Sequence, residues 1–171
     1  MSPSGLSFTT DSAQALFGAA LELLSRREHS RLELRQKLAD KFPSADFEAL
    51  FARLQELNYQ SDRRFAEVFA RSRVQRGQGP LRIRRELQQR GIGNDLIASA
   101  LEQLEADWYT LAAEQMQRKF RTPVSAALPR AQQLKERARR SRYLAYRGFP
   151  ADAINWALDV KESDLYSDQD L

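Results

Sequence analysis

The sequence lacks cysteine and has a single histidine, His29, among its 171 residues. The absence of cysteine excludes disulfide bonds, thiol catalysis and cysteine-based metal sites. One histidine is too few to supply a typical zinc site or a Ser-His-Asp triad. His29 follows the charged residues Arg26, Arg27 and Glu28, so we expect it to be a solvated residue between two helices.

The sequence also has little glycine or proline and no long apolar run. Seven glycines and six prolines, with 42% apolar and 29% charged residues, are typical of a globular chain of helices joined by short turns. No apolar run reaches the roughly 18 residues of a membrane span, and the first ten residues lack the pattern of a secretory signal. We therefore expect a cytoplasmic protein that does not associate with membranes.

Apolar residues recur at spacings of three and four along most of the chain, beginning with the stripe from Ala15 to Leu24. This period predicts amphipathic helices. Local signals mark the expected helix ends: a capping box at Ser30 and Glu33, an N-cap at Asp62, the opening of a third segment at Asp107, a first-turn proline at Pro80, a left-handed C-cap at Gly91 and a helix end at Gly148.

One sequence pattern occurs three times in the chain, each time at the turn between the second and the third helix of a three-helix unit. A hydrophobic residue follows the helix end, and two core positions lie five and nine residues after it in every copy: Phe42 with Phe47 and Phe51, Ile92 with Ile97 and Leu101, and Phe149 with Ile154 and Leu158. Repetition of one supersecondary unit predicts an array in which neighbouring units support each other. The expected fold is therefore all-α, a tandem array of three three-helix repeats that is elongated and curved.

The expected organisation of the chain follows from these copies. A disordered N-terminal arm covers residues 1–11, and the repeats cover 12–58, 59–105 and 106–159. The third repeat contains an internal linker near 121–129, and an acidic tail covers 160–171. Arg140 stands where the other repeats have Leu34 and Ile83, so we expect a weaker core in the third repeat.

Basic residues are concentrated in two stretches. Residues 71–90 hold seven arginines and one acid, residues 130–147 hold seven basic residues and one acid, and each stretch has a net charge of +6, whereas the whole chain has +4. This separation favours a basic surface that binds phosphate groups or an acidic protein. The alternative is a solvated helix face, since arginine is a good helix former and is favoured near helix C-termini.

Helix geometry, at about 100° per residue, indicates where the arginines of the first stretch point. With Ile83 and Leu87 facing the core, Arg85 points away from it. Arg82 and Arg84 then lie on its two flanks.

In the second stretch, two arginines and two tyrosines fall on one outer face. Arg139 is spaced to stack on Tyr143, and Arg142 on Tyr146. The candidate partner- or DNA-binding residues are Arg71, Arg73, Arg76, Arg82, Arg84, Arg85, Arg139, Arg140, Arg142, Tyr143 and Tyr146. Two of them, Arg73 and Arg76, are expected to point into the groove between repeats.

No catalytic constellation is present. Pairs such as Asp46 with Glu48 lie on polar helix faces without a second group to work with. The stretch from Arg76 to Pro80 lacks the lysine and the spacing of a phosphate-binding loop. We therefore expect no enzyme activity, no bound metal and no cofactor.

Residues 57–92 follow one ordered series of residue types. The series begins with a hydrophobic residue, an aromatic residue and an acid, which are Leu57, Tyr59 and Asp62. A helix that opens with Phe65-Ala66 follows, and then a glycine turn at Gly77 and Gly79-Pro80. The last part is a helix with Ile83, Glu86-Leu87 and Gly91-Ile92. This series, over about 36 residues, resembles the core signature of the RecX recombination regulators. Gln60-Ser61, the missing turn glycine of the first repeat and Arg140 depart from the family pattern.

The resemblance implies a non-enzymatic modulator that binds in the groove of the RecA–DNA filament and inhibits recombinase and ATPase activity in DNA repair. It names the RecA filament as the partner, with at most weak binding of single- and double-stranded DNA without sequence preference. We expect the chain to be a monomer.

Two other hypotheses remain open on the residues alone. The chain could be a direct DNA-binding protein, because short three-helix units can present a recognition helix to the major groove. It could also be a helical adaptor for an acidic protein unrelated to recombination.

Overall fold

The structure is a computed structural model and describes residues 10–160 of the chain. The predicted N-terminal arm lies almost wholly outside the described residues, and so does the acidic tail after Val160. Within the described range the regular structure consists of nine helices and no strand, which confirms the all-α class: α1 Thr10–Arg26, α2 Arg31–Leu38, α3 Phe47–Glu56, α4 Asp62–Gln75, α5 Pro80–Gln89, α6 Asn94–Glu102, α7 Trp108–Lys119, α8 Arg130–Arg147 and α9 Ala151–Asp159.

The helices group into two compact units. The first contains the described residues up to Phe69 together with Leu87–Ala100, and the second contains Ala70–Glu86 and the residues from Leu101 onward. The boundary passes through α4, α5 and α6. None of the nine described helices is long and apolar enough to cross a membrane.

The core of the first unit forms between α1, α2 and α3. Their apolar stripes meet in one cluster of buried side chains: Leu16, Ala20, Leu34, Leu38, Phe47, Leu50, Phe51 and Leu54. The start of α2 has the predicted capping box, in which Ser30 accepts a hydrogen bond from the Glu33 backbone and Glu33 accepts one from the Ser30 backbone. These bonds satisfy N–H groups that a helix start leaves free.

The predicted N-cap at Asp62 is wrong by one residue. Ser61 caps α4, because its hydroxyl accepts a hydrogen bond from the Arg64 N–H at 3.2 Å. Asp62 is already the first helical residue, and its carboxylate instead accepts a bond from the Arg31 N–H at 3.0 Å. Asp62 therefore satisfies a free N–H at the start of a different helix, α2.

The expectation that His29 is solvated is also wrong. Its side chain is buried, with only 3% of its surface exposed. Nδ1 lies 3.0 Å from the Arg27 carbonyl oxygen, and because a carbonyl only accepts, Nδ1 carries the hydrogen and donates it. Burial disfavours the charged ring and lowers the pKa of His29 below 6.5.

The buried histidine predicts a loss of stability in mild acid. Since the folded-state pKa is depressed, the unfolded chain binds the proton first, and the free energy of unfolding falls as the pH drops below about 6.5. The loss should end once the pH is below the folded-state pKa. Urea unfolding at about pH 7.5 and 5.5 measures it, and His29→Asn, which keeps a donor without an ionisable ring, should remove it. An unchanged pH dependence in that variant would contradict the assignment to His29.

The core of the second unit forms between α7, α8 and α9. Its buried residues are Ala112, Ala113, Met116, Leu144, Phe149, Ala153, Ile154 and Ala157. The third segment opens at Asp107 as predicted, and the structure shows that Asp107 caps α7, with its carboxylate accepting bonds from the Tyr109 and Thr110 N–H groups. Gly148 ends α8 as predicted, and its backbone is left-handed, with φ +95°.

Candidate functional site

The eleven side chains predicted to bind a partner all lie in the second unit. Ten lie on α4, α5 and α8, and Arg76 lies directly after the end of α4. The end of α8 meets the start of α5 within this unit. The Gly79 N–H donates to the Arg147 carbonyl at 2.8 Å, and the Leu81 N–H donates to the Gly148 carbonyl at 3.0 Å. Free N–H groups at one helix start are thus satisfied by carbonyls at another helix end. We call this contact the α5–α8 joint.

Two glycines allow the backbones of the joint to approach this closely. A Cβ on Gly79 would lie 2.4 Å from the Gly148 carbonyl oxygen, and a Cβ on Gly148 would lie 2.3 Å from the Arg82 Cβ. Gly148 also has the positive φ that side-chain-bearing residues rarely adopt. The joint therefore depends on glycine at both positions.

Side chains from the two basic stretches interact across the joint. The Arg82 guanidinium lies 5.1 Å from the centre of the Tyr146 ring, at cation–π distance. The Arg147 guanidinium donates to the Arg76 carbonyl at 2.9 Å and lies over the Tyr143 ring. Arg147 was not among the predicted site residues. Its signal was present in the sequence, because it belongs to the second basic stretch and immediately precedes the turn glycine.

Glu86 holds two of the predicted arginines in place. Its carboxylate oxygens pair with Arg73 Nε at 2.8 Å and with Arg82 Nε at 3.0 Å. Burial alone would raise the pKa of Glu86, but the hydrogen bonds from Arg82 and Arg73 outweigh it and hold that pKa below its ordinary value. The bond to Glu86 likewise raises the pKa of Arg82. These two arginines are held by an internal ion-pair network.

Replacing Glu86 with glutamine is expected to lower the free energy of unfolding by about 1–2 kcal/mol at neutral pH, because charge-assisted hydrogen bonds are lost in a half-buried site. Since the pKa of Glu86 is lowered by folding, its contribution is present above about pH 4.5 and is lost as the pH falls through the folded-state value. Urea unfolding of both proteins at neutral and acidic pH measures the difference.

The control for this prediction is Glu22→Gln, which removes an exposed ion pair with Arg26. Exposed pairs contribute little, so this variant should be nearly neutral at every pH. Equal effects of the two substitutions would contradict the role given to Glu86.

The aromatic stacking predicted on α8 does not form as expected. Tyr143 is half-buried against Phe120, with ring centres 5.5 Å apart, and is therefore not on the outer face. The guanidinium over the Tyr143 ring belongs to Arg147 rather than to Arg139, and Tyr146 is contacted by Arg82 rather than by Arg142. Arg139 lies over the Phe120 ring and pairs with Glu136.

Arg140 is the one predicted site residue that is buried, at 8% exposure. It takes the core position of Leu34 and Ile83, as its sequence register predicts. Its Nη2 donates to the Thr122 carbonyl at 2.7 Å.

The remaining predicted arginines point outward. Arg85 is exposed and Arg84 is half-exposed, as helix geometry predicts, and Arg71, Arg76 and Arg142 are exposed. Tyr146 is 75% exposed beside them. Among the residues that the structure describes, no group of three or more His, Cys, Asp or Glu side chains could hold a metal ion.

Family models for three consecutive domains match this chain. The model described as the first three-helix domain of RecX matches residues 17–54, the second matches residues 61–101 and the third matches residues 105–158. The chain belongs to the RecX family. Both the resemblance seen in the sequence and the three three-helix repeats are thereby confirmed.

Individual RecX proteins are similar to this chain over nearly its whole length. The regulatory protein RecX of Halorhodospira halophila is 40% identical over 153 residues, covering 89% of this chain and 91% of the relative. That of Pseudomonas putida is 40% identical over 162 residues, covering 94% of this chain and all of the relative. This chain is therefore a member of a family of regulatory proteins.

A crystal structure of RecX from Lactobacillus salivarius has the same fold, with a TM-score of 0.70 and 22% identity, over 88% of this chain and 96% of that one. The RecX domain matches also locate the α5–α8 joint. Helix α5 falls in the second three-helix domain and α8 in the third.

Proposed function

We propose that the chain is a non-enzymatic modulator of the RecA recombinase, which binds in the groove of the RecA–DNA filament and inhibits ATPase activity and strand exchange. Membership of a family whose proteins carry the name regulatory protein RecX supports a regulatory role. The partner and the mode of action are the proposed part.

The α5–α8 joint is the observation that carries the proposal. It brings basic residues from two stretches of sequence to one place in the second unit. Arg85 lies about one helical turn from Arg82, and Arg142 lies about one turn from Tyr146, so both exposed arginines are close to the joint. We infer that Arg84, Arg85 and Arg142 form the centre of the contact with the filament.

The chemistry of these side chains suits a filament of acidic protein and phosphate. A guanidinium binds carboxylate or phosphate oxygens with paired hydrogen bonds. Arg71, Arg84, Arg85 and Arg142 have no side-chain hydrogen bond or ion pair to another described residue, so binding a partner breaks no described bond of theirs. Arg73 and Arg82, in contrast, are held by Glu86 and are expected to keep the joint in place.

The deciding experiment is a titration of RecA's ATPase activity, stimulated by single-stranded DNA, with this chain. Inhibition at chain concentrations well below that of RecA is expected, because one bound chain would block extension or strand exchange over many protomers. A parallel DNA-binding assay without RecA should give only weak, salt-sensitive binding without sequence preference, from arginine contacts to phosphates.

Other outcomes would overturn the proposal. Absence of RecA inhibition together with tight, sequence-specific DNA binding would favour the direct DNA-binding hypothesis. Binding to neither RecA nor DNA would point to an unrelated acidic protein as the partner.

A further inference from the structure

A cavity of about 640 Å³ opens in the second unit, beside the non-helical residues 120–129. Its walls come from α7, from α8, from that segment and from the end of α9. Apolar side chains such as Phe120, Val124 and Leu158 line it together with the basic residues Arg121, Arg137 and Arg140. Cavities with apolar walls and a few convergent polar groups are the usual form of a ligand site.

Arg140 is the unusual residue of this cavity. At the same position of the other repeats, Leu34 and Ile83 are fully buried hydrophobic residues, whereas Arg140 places a guanidinium there at 8% exposure. A buried charge is unfavourable unless it is paired and hydrogen-bonded. Residues that break the pattern of their own repeat are expected at functional or strained sites.

The bonds that Arg140 makes within the described residues leave its charge without a carboxylate. Nη2 donates to the Thr122 carbonyl and the guanidinium lies 5.0 Å from the centre of the Phe120 ring. Its Nε is buried without a hydrogen-bond partner in the part of the chain that the structure describes. The one acid lining the cavity, Asp159, is paired with Arg137 at 2.7 Å. The cavity therefore suits a ligand that combines a carboxylate with an apolar side chain.

The chain supplies such a ligand next to the cavity. Val160, the last described residue, lines it. The residues that follow include the acids Glu162 and Asp164 and the apolar side chains of Leu165 and Tyr166. At roughly 3.3–3.6 Å per residue, six residues can span up to about 20 Å, and tethering gives such a segment a high effective concentration.

We propose that this cavity is a binding site for an acidic peptide and that its occupant is the chain's own segment 162–166. The acids Glu162 and Asp164 match the charge of Arg140, and Leu165 and Tyr166 match the apolar wall in chemistry. The proposal is independent of RecA and would stand if the proposed function failed.

Paramagnetic NMR on the full chain tests the proposal. Because the sequence has no cysteine, Ser167→Cys gives a single attachment point for a nitroxide spin label. We expect the label to broaden the amide signals of cavity residues such as Val124 and Gln133. Arg140→Leu, which restores the residue type of the first repeat, should reduce this broadening to that of an unbound tail without lowering the thermal midpoint. Arg118→Leu, which removes an exposed arginine of α7 outside the cavity, should leave the broadening unchanged.

A second variant, changed in the segment 162–166 itself, is the control for a folding defect in the Arg140 variant. Asp164→Asn combined with Leu165→Ser alters no described residue and should reduce the broadening by the same amount. Absence of broadening in the labelled parent, or broadening that Arg140→Leu leaves undiminished, would overturn the proposal. Broadening that disappears on dilution would also overturn it, since the occupant would then be the segment of a second copy.

Discussion

Replacing Gly148 with alanine is expected to lower the free energy of unfolding by about 2–5 kcal/mol. Holding an L-residue in the left-handed region contributes roughly 1–2 kcal/mol of this loss. Forcing a methyl group into a filled space contributes about 1–3 kcal/mol more. The space is filled because the new Cβ would lie 2.3 Å from the Cβ of Arg82 and 2.6 Å from its backbone nitrogen.

The effect should extend beyond stability, because the Gly148 carbonyl accepts the Leu81 N–H within the α5–α8 joint. Displacing this turn separates the two basic stretches and should weaken RecA inhibition in any fraction that remains folded. Urea unfolding and the RecA ATPase titration measure the two effects on the same protein.

Gly18 provides a matched control for this substitution. It lies exposed within α1, its φ is not positive, and nothing would lie within 4 Å of an added Cβ. Alanine there should raise the free energy of unfolding by about 0.5–1 kcal/mol, because it removes backbone freedom from the unfolded chain. The same chemical change is thus expected to have opposite signs at the two sites. A neutral Gly148→Ala would contradict the close contact described for the joint.

Reversing the charge of Arg85 and Arg142 together is expected to raise the concentration for half-inhibition of RecA at least tenfold. Tenfold corresponds to about 1.4 kcal/mol of binding free energy. Both side chains are exposed near the joint, so Arg85→Glu with Arg142→Glu should leave the fold intact. Like charges placed against an acidic partner repel it and slow association.

A double variant with the same change in net charge separates this effect from general electrostatics. Arg26→Glu with Arg118→Glu reverses two exposed arginines of α1 and α7, outside the two basic stretches. It should inhibit RecA almost as well as the parent protein. The affinity of the parent protein for RecA should also fall more steeply with added salt than that of the Arg85 and Arg142 double variant. The parent retains both arginine contacts, and salt screens such contacts. If all three proteins inhibited RecA equally, Arg85 and Arg142 would not be part of the proposed contact.

Signals carried by neighbouring residues were sufficient to predict the local structure. The capping box at Ser30, the first-turn position of Pro80, the left-handed turn at Gly91 and the helix end at Gly148 are confirmed. Each depends on hydrogen bonds or dihedral angles within a few residues, so short sequence patterns contain the necessary information.

Errors arose where a side chain is bound by a distant part of the chain. Asp62 was predicted to cap its own helix, but it accepts a bond from Arg31, 31 residues earlier. His29 was expected in solvent because its neighbours are charged, yet folding buries it. Tyr143 was assigned to an outer face from its azimuth alone, and the Phe120 ring covers it.

The sequence by itself determined the helices, the three repeats, the two basic stretches and the family, because periodicity, spacing and composition act over short distances along the chain. The tertiary structure alone decided which arginines are held and which point outward. Arg82 and Tyr146 are 64 residues apart in sequence but bonded in the fold, and Glu86 pairs with Arg73 13 residues away. Such contacts depend on how helices pack, since a guanidinium turns toward whichever carboxylate, carbonyl or ring the fold places within its reach.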